Sequence, residues 1–119
     1  MAYWMAGHAF LAESQTGPVG TFYIQENRAG GGAHYCNCGF ATDPAATGQG
    51  VARQMLDYAL QTATSLGFEG MVFNFVVSSN TRAVALWQKN GFEIVGTVPD
   101  AFRVHGSQDA DALVMFRAL

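Results

Sequence analysis

The residues with the clearest chemical potential stand together in Asp43-Pro44-Ala45-Ala46-Thr47-Gly48-Gln49-Gly50-Val51-Ala52-Arg53-Gln54-Met55-Leu56. Apolar residues at Val51, Met55, Ala59, Ala63 and Leu66 recur at helical spacing, which predicts a helix from near Gly50 to Gly67. The first amides of such a helix have no partner inside it. Together with the positive end of the helix dipole they attract an anion, and Gly48 and Gly50 bring no side chain that would hold a phosphate away. The chemistry of this stretch is that of a phosphate cradle built from backbone.

Two other glycine loops are disfavoured by the residues present. A nucleotide P-loop needs Lys and then Ser or Thr after its last glycine, where Val51-Ala52 stand; the dinucleotide Gly-x-Gly-x-x-Gly pattern meets Arg53 at its third glycine. Thr47-Gly48-Gln49-Gly50-Val51-Ala52 instead resembles the pyrophosphate loop of the GCN5-related N-acetyltransferases (GNAT), which reads Gln or Arg, two residues, Gly, one residue, then Gly or Ala. The first position departs from that pattern, being Thr47. Downstream, Asn80-Thr81-Arg82-Ala83-Val84-Ala85-Leu86-Trp87 followed by Gly91-Phe92 looks like the same family's second coenzyme-binding helix, Asn, two residues, Ala, two residues, Leu-Tyr, closing on Gly-Phe. The resemblance runs from about Phe10 to Met115.

The resemblance implies acetyl-CoA as cosubstrate, with no metal, and assigns its phosphates to the amides of Thr47, Gly48, Gln49, Gly50, Val51 and Ala52. In that family the strand before the loop parts from its parallel neighbour, and backbone groups in the gap hold the pantetheine arm; Phe40, Ala41 and Thr42 fall there, followed by Pro44, which favours an extended residue before it. Asn80 is implied as a coenzyme contact, while helix capping alone also accounts for it. Trp87 takes the place of the tyrosine that protonates the departing thiolate in many relatives. An indole N–H is not a usable acid at neutral pH, so Trp87 is either a packing and coenzyme-binding residue or a hydrogen-bond donor at the reacting centre.

Three further polar residues are candidates at the acetyl and acceptor site. Asn74 interrupts the apolar strand Met71-Val72-Phe73-Asn74-Phe75-Val76-Val77, so its amide needs partners if buried. Asn37 lies on the preceding strand, and for both a purely structural hydrogen bond is the competing explanation. As a histidine, the side-chain type suited to proton transfer at neutral pH, His34 could deprotonate an ammonium acceptor, against the simpler reading of a surface histidine. The run Phe73 to Asn80 also looks like the matching stretch of acetyltransferases acting on proline analogues such as azetidine carboxylate, which implies a small amino or imino acid as acceptor.

These groups need a scaffold. Strands are expected at His8–Glu13, Val19–Gln25, His34–Thr42, Met71–Val77, Phe92–Val98 and Asp111–Phe116, the first two joined at Ser14–Pro18, with helices after the glycine loop and after Asn80. The apolar fourth strand reads as covered on both faces and parallel to the strand before the loop. The expectation is an α/β (α+β) fold with a mixed central sheet of about six strands and two helices, of the acyl-CoA N-acyltransferase type. Members of the resembled family carry a strand and two helices ahead of this point, where only Ala2-Tyr3-Trp4-Met5 stand, read as the tail of the second helix. The expectation is therefore an N-terminally truncated form. Its bared apolar surface predicts a homodimer or higher assembly, through sheet continuation or segment exchange at the edge His8–Glu13.

Composition sets the outer bounds. The 119 residues fit one domain, with 50% hydrophobic residues to supply a core. A formal charge of -3 with six Lys and Arg argues against nucleic-acid or anionic-membrane binding. No apolar run is long enough to span a bilayer, and the start carries no secretory pattern, so the cytoplasm is the default expectation. Cys36 and Cys38 share one strand face, which suits two small packed side chains, with a redox pair as the alternative and no four-ligand metal set. The function these readings point to is transfer of acetyl from acetyl-CoA to a small-molecule amine by direct attack in a ternary complex. A non-catalytic CoA-binding module and a structural or partner-binding protein are the alternatives.

Overall fold

Burial alternates residue by residue along the first half of the chain, the signature of strands with one face against a core. The computed structural model describes residues 1–6, 8–46, 50–106 and 108–119. Its elements run β1 (Ala2–Ala6), β2 (Ala9–Ser14), β3 (Gly17–Glu26), β4 (Tyr35–Thr42), α1 (Val51–Ser65), β5 (Gly70–Val77), α2 (Thr81–Lys89), β6 (Glu93–Phe102) and β7 (Ala110–Ala118). Seven strands form one mixed sheet in the order β1-β2-β3-β4-β5-β7-β6. All of its pairings are antiparallel except β4 with β5, which the α1 crossover makes parallel. The mixed sheet with two helices is the expected class of fold.

The first element departs from expectation. Ala2–Ala6 is a strand paired antiparallel with β2, Trp4 opposite Leu11, and is not the tail of a helix. Five residues cannot separate a helical from a strand period, and the aromatic pair Tyr3-Trp4 favours the pleated surface. Tyr3 turns inward and stacks on Tyr58 of α1 at 3.9 Å, while Trp4 and Met5 stay 57% and 69% exposed. The free edge therefore belongs to β1, and the expected edge at His8–Glu13 is covered by it.

Gln15-Thr16 close the β2–β3 hairpin, with Gly17 at φ +122°, a backbone state that disfavours a side chain. Helix α1 buries Val51, Met55, Leu56, Ala59 and Ala63. It stops one residue before Leu66, which is exposed, and Gly67 at φ +89° ends it. Asn90 and Gly91 close α2 in the same way, the Asn90 amide donating to Leu86 O at 2.8 Å.

The core is strongly aromatic. Phe10 stacks on Phe22 (4.8 Å), Phe22 on Phe40 (5.3 Å), Phe40 meets Trp87 (5.3 Å), Trp87 meets Phe73 (4.9 Å), and Phe73 stacks on Phe92 (4.2 Å). This row of rings ties β2, β3 and β4 to β5 and α2 where backbone pairing between β4 and β5 is short. Among the described residues no helix is long and apolar enough to cross a membrane.

Phe22 stacks between Phe10 and Phe40 in this row and is 2% exposed. Phe22→Ala should cost about 3–5 kcal/mol of unfolding free energy, the range for emptying a buried aromatic site, measured by urea denaturation.

Candidate functional site

The site begins where a hydrogen-bond ladder stops. Parallel pairing of β4 with β5 covers only Tyr35 with Gly70, Cys36 with Met71 and Asn37 with Val72. Beyond Asn37, β4 stays paired with β3 while β5 follows β7, so the backbone groups of Cys38–Thr42 that face β5 have no ladder partner there. On β5 the register against β7 shifts between Phe73 and Val76, which leaves Asn74 and Phe75 bulged and exposed. The rings of Phe40 and Phe73 sit edge to face at 5.7 Å across the opening.

Two clefts meet at this opening. The larger, about 540 Å³, is lined by residues of β4 (Phe40, Thr42), the start of α1 (Gly50, Val51, Ala52, Arg53) and the start of α2 (Asn80, Arg82). Gly50 precedes α1 at φ +75° and, among the described residues, no side chain caps this helix end. A Cβ built on Gly50 would meet nothing within 4 Å among the described residues, and its positive φ is what favours glycine. Neither helix has an acidic residue in its first turn. Two helix N-termini and the guanidinium groups of Arg53 and Arg82 thus give this cleft a positive field. The Arg53–Asp57 ion pair, at 3.6 Å and about half exposed on both sides, is too solvated to cancel it.

The smaller cleft, about 230 Å³, lies against Tyr23, Gly39, Asn74 and Phe75. The Tyr23 ring lies over Gly39, where a Cβ would come within 2.6 Å of it. The Tyr23 hydroxyl donates to Asn37 Oδ1 at 3.3 Å, and Asn74 Nδ2 donates to Asn27 Oδ1 at 3.0 Å. Burial, with a smaller contribution from Cys38, raises the Tyr23 pKa, so the phenol stays protonated at neutral pH. Phe40, Asn80, Ala83 and Trp87 line both clefts.

The residues singled out from sequence divide clearly. Phe40, Thr42, Gly50, Val51, Ala52, Asn80 and Trp87 line the larger cleft. Thr47, Gly48 and Gln49 lie outside the described residues. Ala41, opposite Thr21 in the β3 pairing, lines neither cleft. Asn80 Oδ1 accepts from Ala83 N at 3.3 Å, the capping role, and Asn74 is exposed instead of buried. Asn37 stands behind the smaller cleft through Tyr23. His34 is not brought to this region: it is exposed, ahead of β4, and the six residues to Phe40 span roughly 20 Å of extended chain. Cys36 and Cys38 are buried free thiols with sulfurs 3.9 Å apart. The hydrogen bond with Cys36, then burial, pushes the Cys38 pKa up and keeps it protonated.

Sequence reading missed Arg53, Arg82, Tyr23, Gly39 and Phe75. Arg82 carried a signal, as a cation in the first turn after the Asn80 cap. Tyr23 carried none, because its place depends on the register of β3 against β4.

The chain matches known proteins over most of its length. The profile of the Acetyltransferase (GNAT) family matches residues 1–92. An N-acetyltransferase of Schizosaccharomyces pombe, aca1, is 34% identical over 94 residues, 79% of this chain and 45% of that protein. An uncharacterized protein of Mycobacterium leprae is 38% identical over 77 residues, 65% of this chain and 20% of that one. The chain thus spans less than half the length of these curated relatives. The structure of a GCN5-related N-acetyltransferase from Kribbella flavida superposes with a TM-score of 0.88 at 38% identity, covering 93% of this chain and 67% of that one. Ribosomal-protein-alanine N-acetyltransferase from Brucella melitensis, at 23% identity, shares the fold with a TM-score of 0.81 over 93% of this chain and 68% of that one.

Asn80 provides a test of the local architecture. Asn80→Ala removes the α2 cap and should lower stability by about 1 kcal/mol in chemical denaturation, with Asn80→Asp or Asn80→Ser restoring most of it.

Proposed function

The chain belongs to the GNAT family of acetyltransferases, and on that premise we propose that it transfers acetyl from acetyl-CoA to the amine of a small molecule by direct attack in a ternary complex. The observation that carries this reading is the pair of clefts: one with a positive field, one neutral, meeting where β4 leaves β5. A diphosphate suits the α1 entrance, with Gly50, Val51 and Ala52 offering amides and Arg53 and Arg82 offering charge. The unpaired edge of Cys38–Thr42 suits an amide-bearing arm laid along it as an added strand would be. The thioester then falls at the junction, among Phe40, Asn80 and Trp87, with the amine entering past Tyr23 and Asn74.

In the reaction the amine nitrogen forms a bond to the acetyl carbon as the carbon–sulfur bond breaks. The thiolate leaves with the electron pair, and the proton shed by nitrogen passes to water. Positioning supplies most of the rate enhancement when two reactants are held in line. Trp87 can donate a hydrogen bond to the sulfur or carbonyl oxygen as charge develops, without giving up its proton. His34 takes no part in this scheme. A homodimer or higher assembly is part of the same reading, supported by Trp4 and Met5 exposed on the edge strand β1.

A coenzyme melt followed by a turnover assay orders the alternatives. Acetyl-CoA at a hundredfold excess over its Kd should stabilise the protein by about 2.7 kcal/mol, read as a rise in Tm, and an amine panel should then release free thiol. A rise in Tm without thiol release identifies a CoA-binding module, and no rise removes both readings. Arg82→Ala should weaken coenzyme affinity by about tenfold and flatten its dependence on salt, as expected for loss of a phosphate-facing charge.

A further inference from the structure

We propose that the smaller cleft takes a primary amine carried on a small, uncharged apolar or aromatic body, in preference to an amino or imino acid. This names the acceptor class for the acetyl transfer proposed above and rests on that reading. Its lining is aromatic and neutral: Tyr23, Phe40, Phe73, Phe75 and Trp87 supply rings, and Asn74 and Asn80 supply amides. No Lys, Arg, Asp or Glu lines it among the described residues, and the five undescribed ones, Gly7, Thr47, Gly48, Gln49 and Ser107, are not ionisable types. Glu26 and Arg28 flank Asn27 in sequence, but neither reaches the lining.

A carboxylate moved from water into such surroundings loses its hydration and gains no cation in return. The two polar groups on the outer wall make the mismatch worse. Tyr23 spends its O–H on Asn37 Oδ1, so toward a ligand it offers lone pairs. Asn74 spends one of its two amide N–H bonds on Asn27 Oδ1, which fixes the side chain and leaves its own Oδ1 as an acceptor beside one remaining N–H. An amine N–H complements both oxygens, whereas a carboxylate finds no cation and only the neutral N–H groups of Asn74, Asn80 and Trp87. Apolar walls also favour the uncharged amine, the form that attacks a thioester, over its ammonium.

Size agrees with this class. At the share of about 30 Å³ that a water molecule occupies, the cleft itself holds roughly eight non-hydrogen atoms, so a ring-bearing amine seats its amine end there and its ring reaches past the rim. Phe75, 54% exposed, meets Phe102 of β6 with ring centres 6.2 Å apart, extending the aromatic wall outward for a ring-bearing acceptor.

The test is thiol release by the full chain at saturating acetyl-CoA, with phenethylamine, phenylalaninol and phenylalanine compared at equal concentration. Both uncharged bodies should show kcat/KM at least about tenfold above phenylalanine, and the alcohol separates the effect of charge from that of bulk. Phe75→Arg, at an exposed wall position, should narrow that gap several-fold by supplying the missing cation. Equal or faster reaction of phenylalanine would overturn the acceptor class and leave acetyl transfer standing, as would an unchanged gap in the Phe75→Arg variant. No thiol release with any of the three, and none with a wider amine panel, would bring down the transfer reaction itself and the acceptor class with it.

Discussion

The structure depends on two parallel strands being held apart. Parallel β4 and β5 pair for three residues each and then separate, although exposed backbone hydrogen-bonding groups normally find a partner. Bulk keeps them apart. Phe40 and Phe73 meet edge to face across the gap, and Trp87 packs against both from α2. Closing the ladder would require these rings to leave a well-packed core, which costs more than a few solvated backbone bonds return. The β5 bulge at Asn74-Phe75 completes the separation by committing the outer half of the strand to β7.

Charge is partitioned on either side of this gap. The chain as a whole is acidic, yet two of its six cations line the larger cleft and the smaller one has none among the described residues. Helix geometry strengthens the contrast, since the N-terminus of α1 borders the larger cleft and not the smaller one. A polyanionic ligand and an apolar amine would therefore be sorted by field and solvation before any specific contact forms.

Much of this was legible in the sequence. The helical recurrence through α1, the apolar run of β5 and the turn residues within Ser14–Pro18 mark the elements, because burial and backbone state leave local marks. The cap at Asn80 and the start of a helix at Gly50 were legible for the same reason. Features made by register were not. Tyr23 reaches the site only because it lies opposite Gly39, and His34 is removed from it only by its distance along β4. The resemblance makes Ala2–Met5 a helix tail, a segment too short for its own period to contradict that, and its strand state comes from pairing with β2.

The position of Trp87 limits how such a protein can diversify. One indole forms part of the wall of both clefts, as do Phe40 and Asn80, so a change there reshapes both clefts at once. Tyr23, Gly39, Asn74 and Phe75 line only the smaller cleft, and Asn74 and Phe75 sit on a bulge that the core does not enclose. Descendants of this sequence that adopt new acceptors should accumulate their differences at that outer rim, while the shared wall drifts slowly because each change there must satisfy two partners.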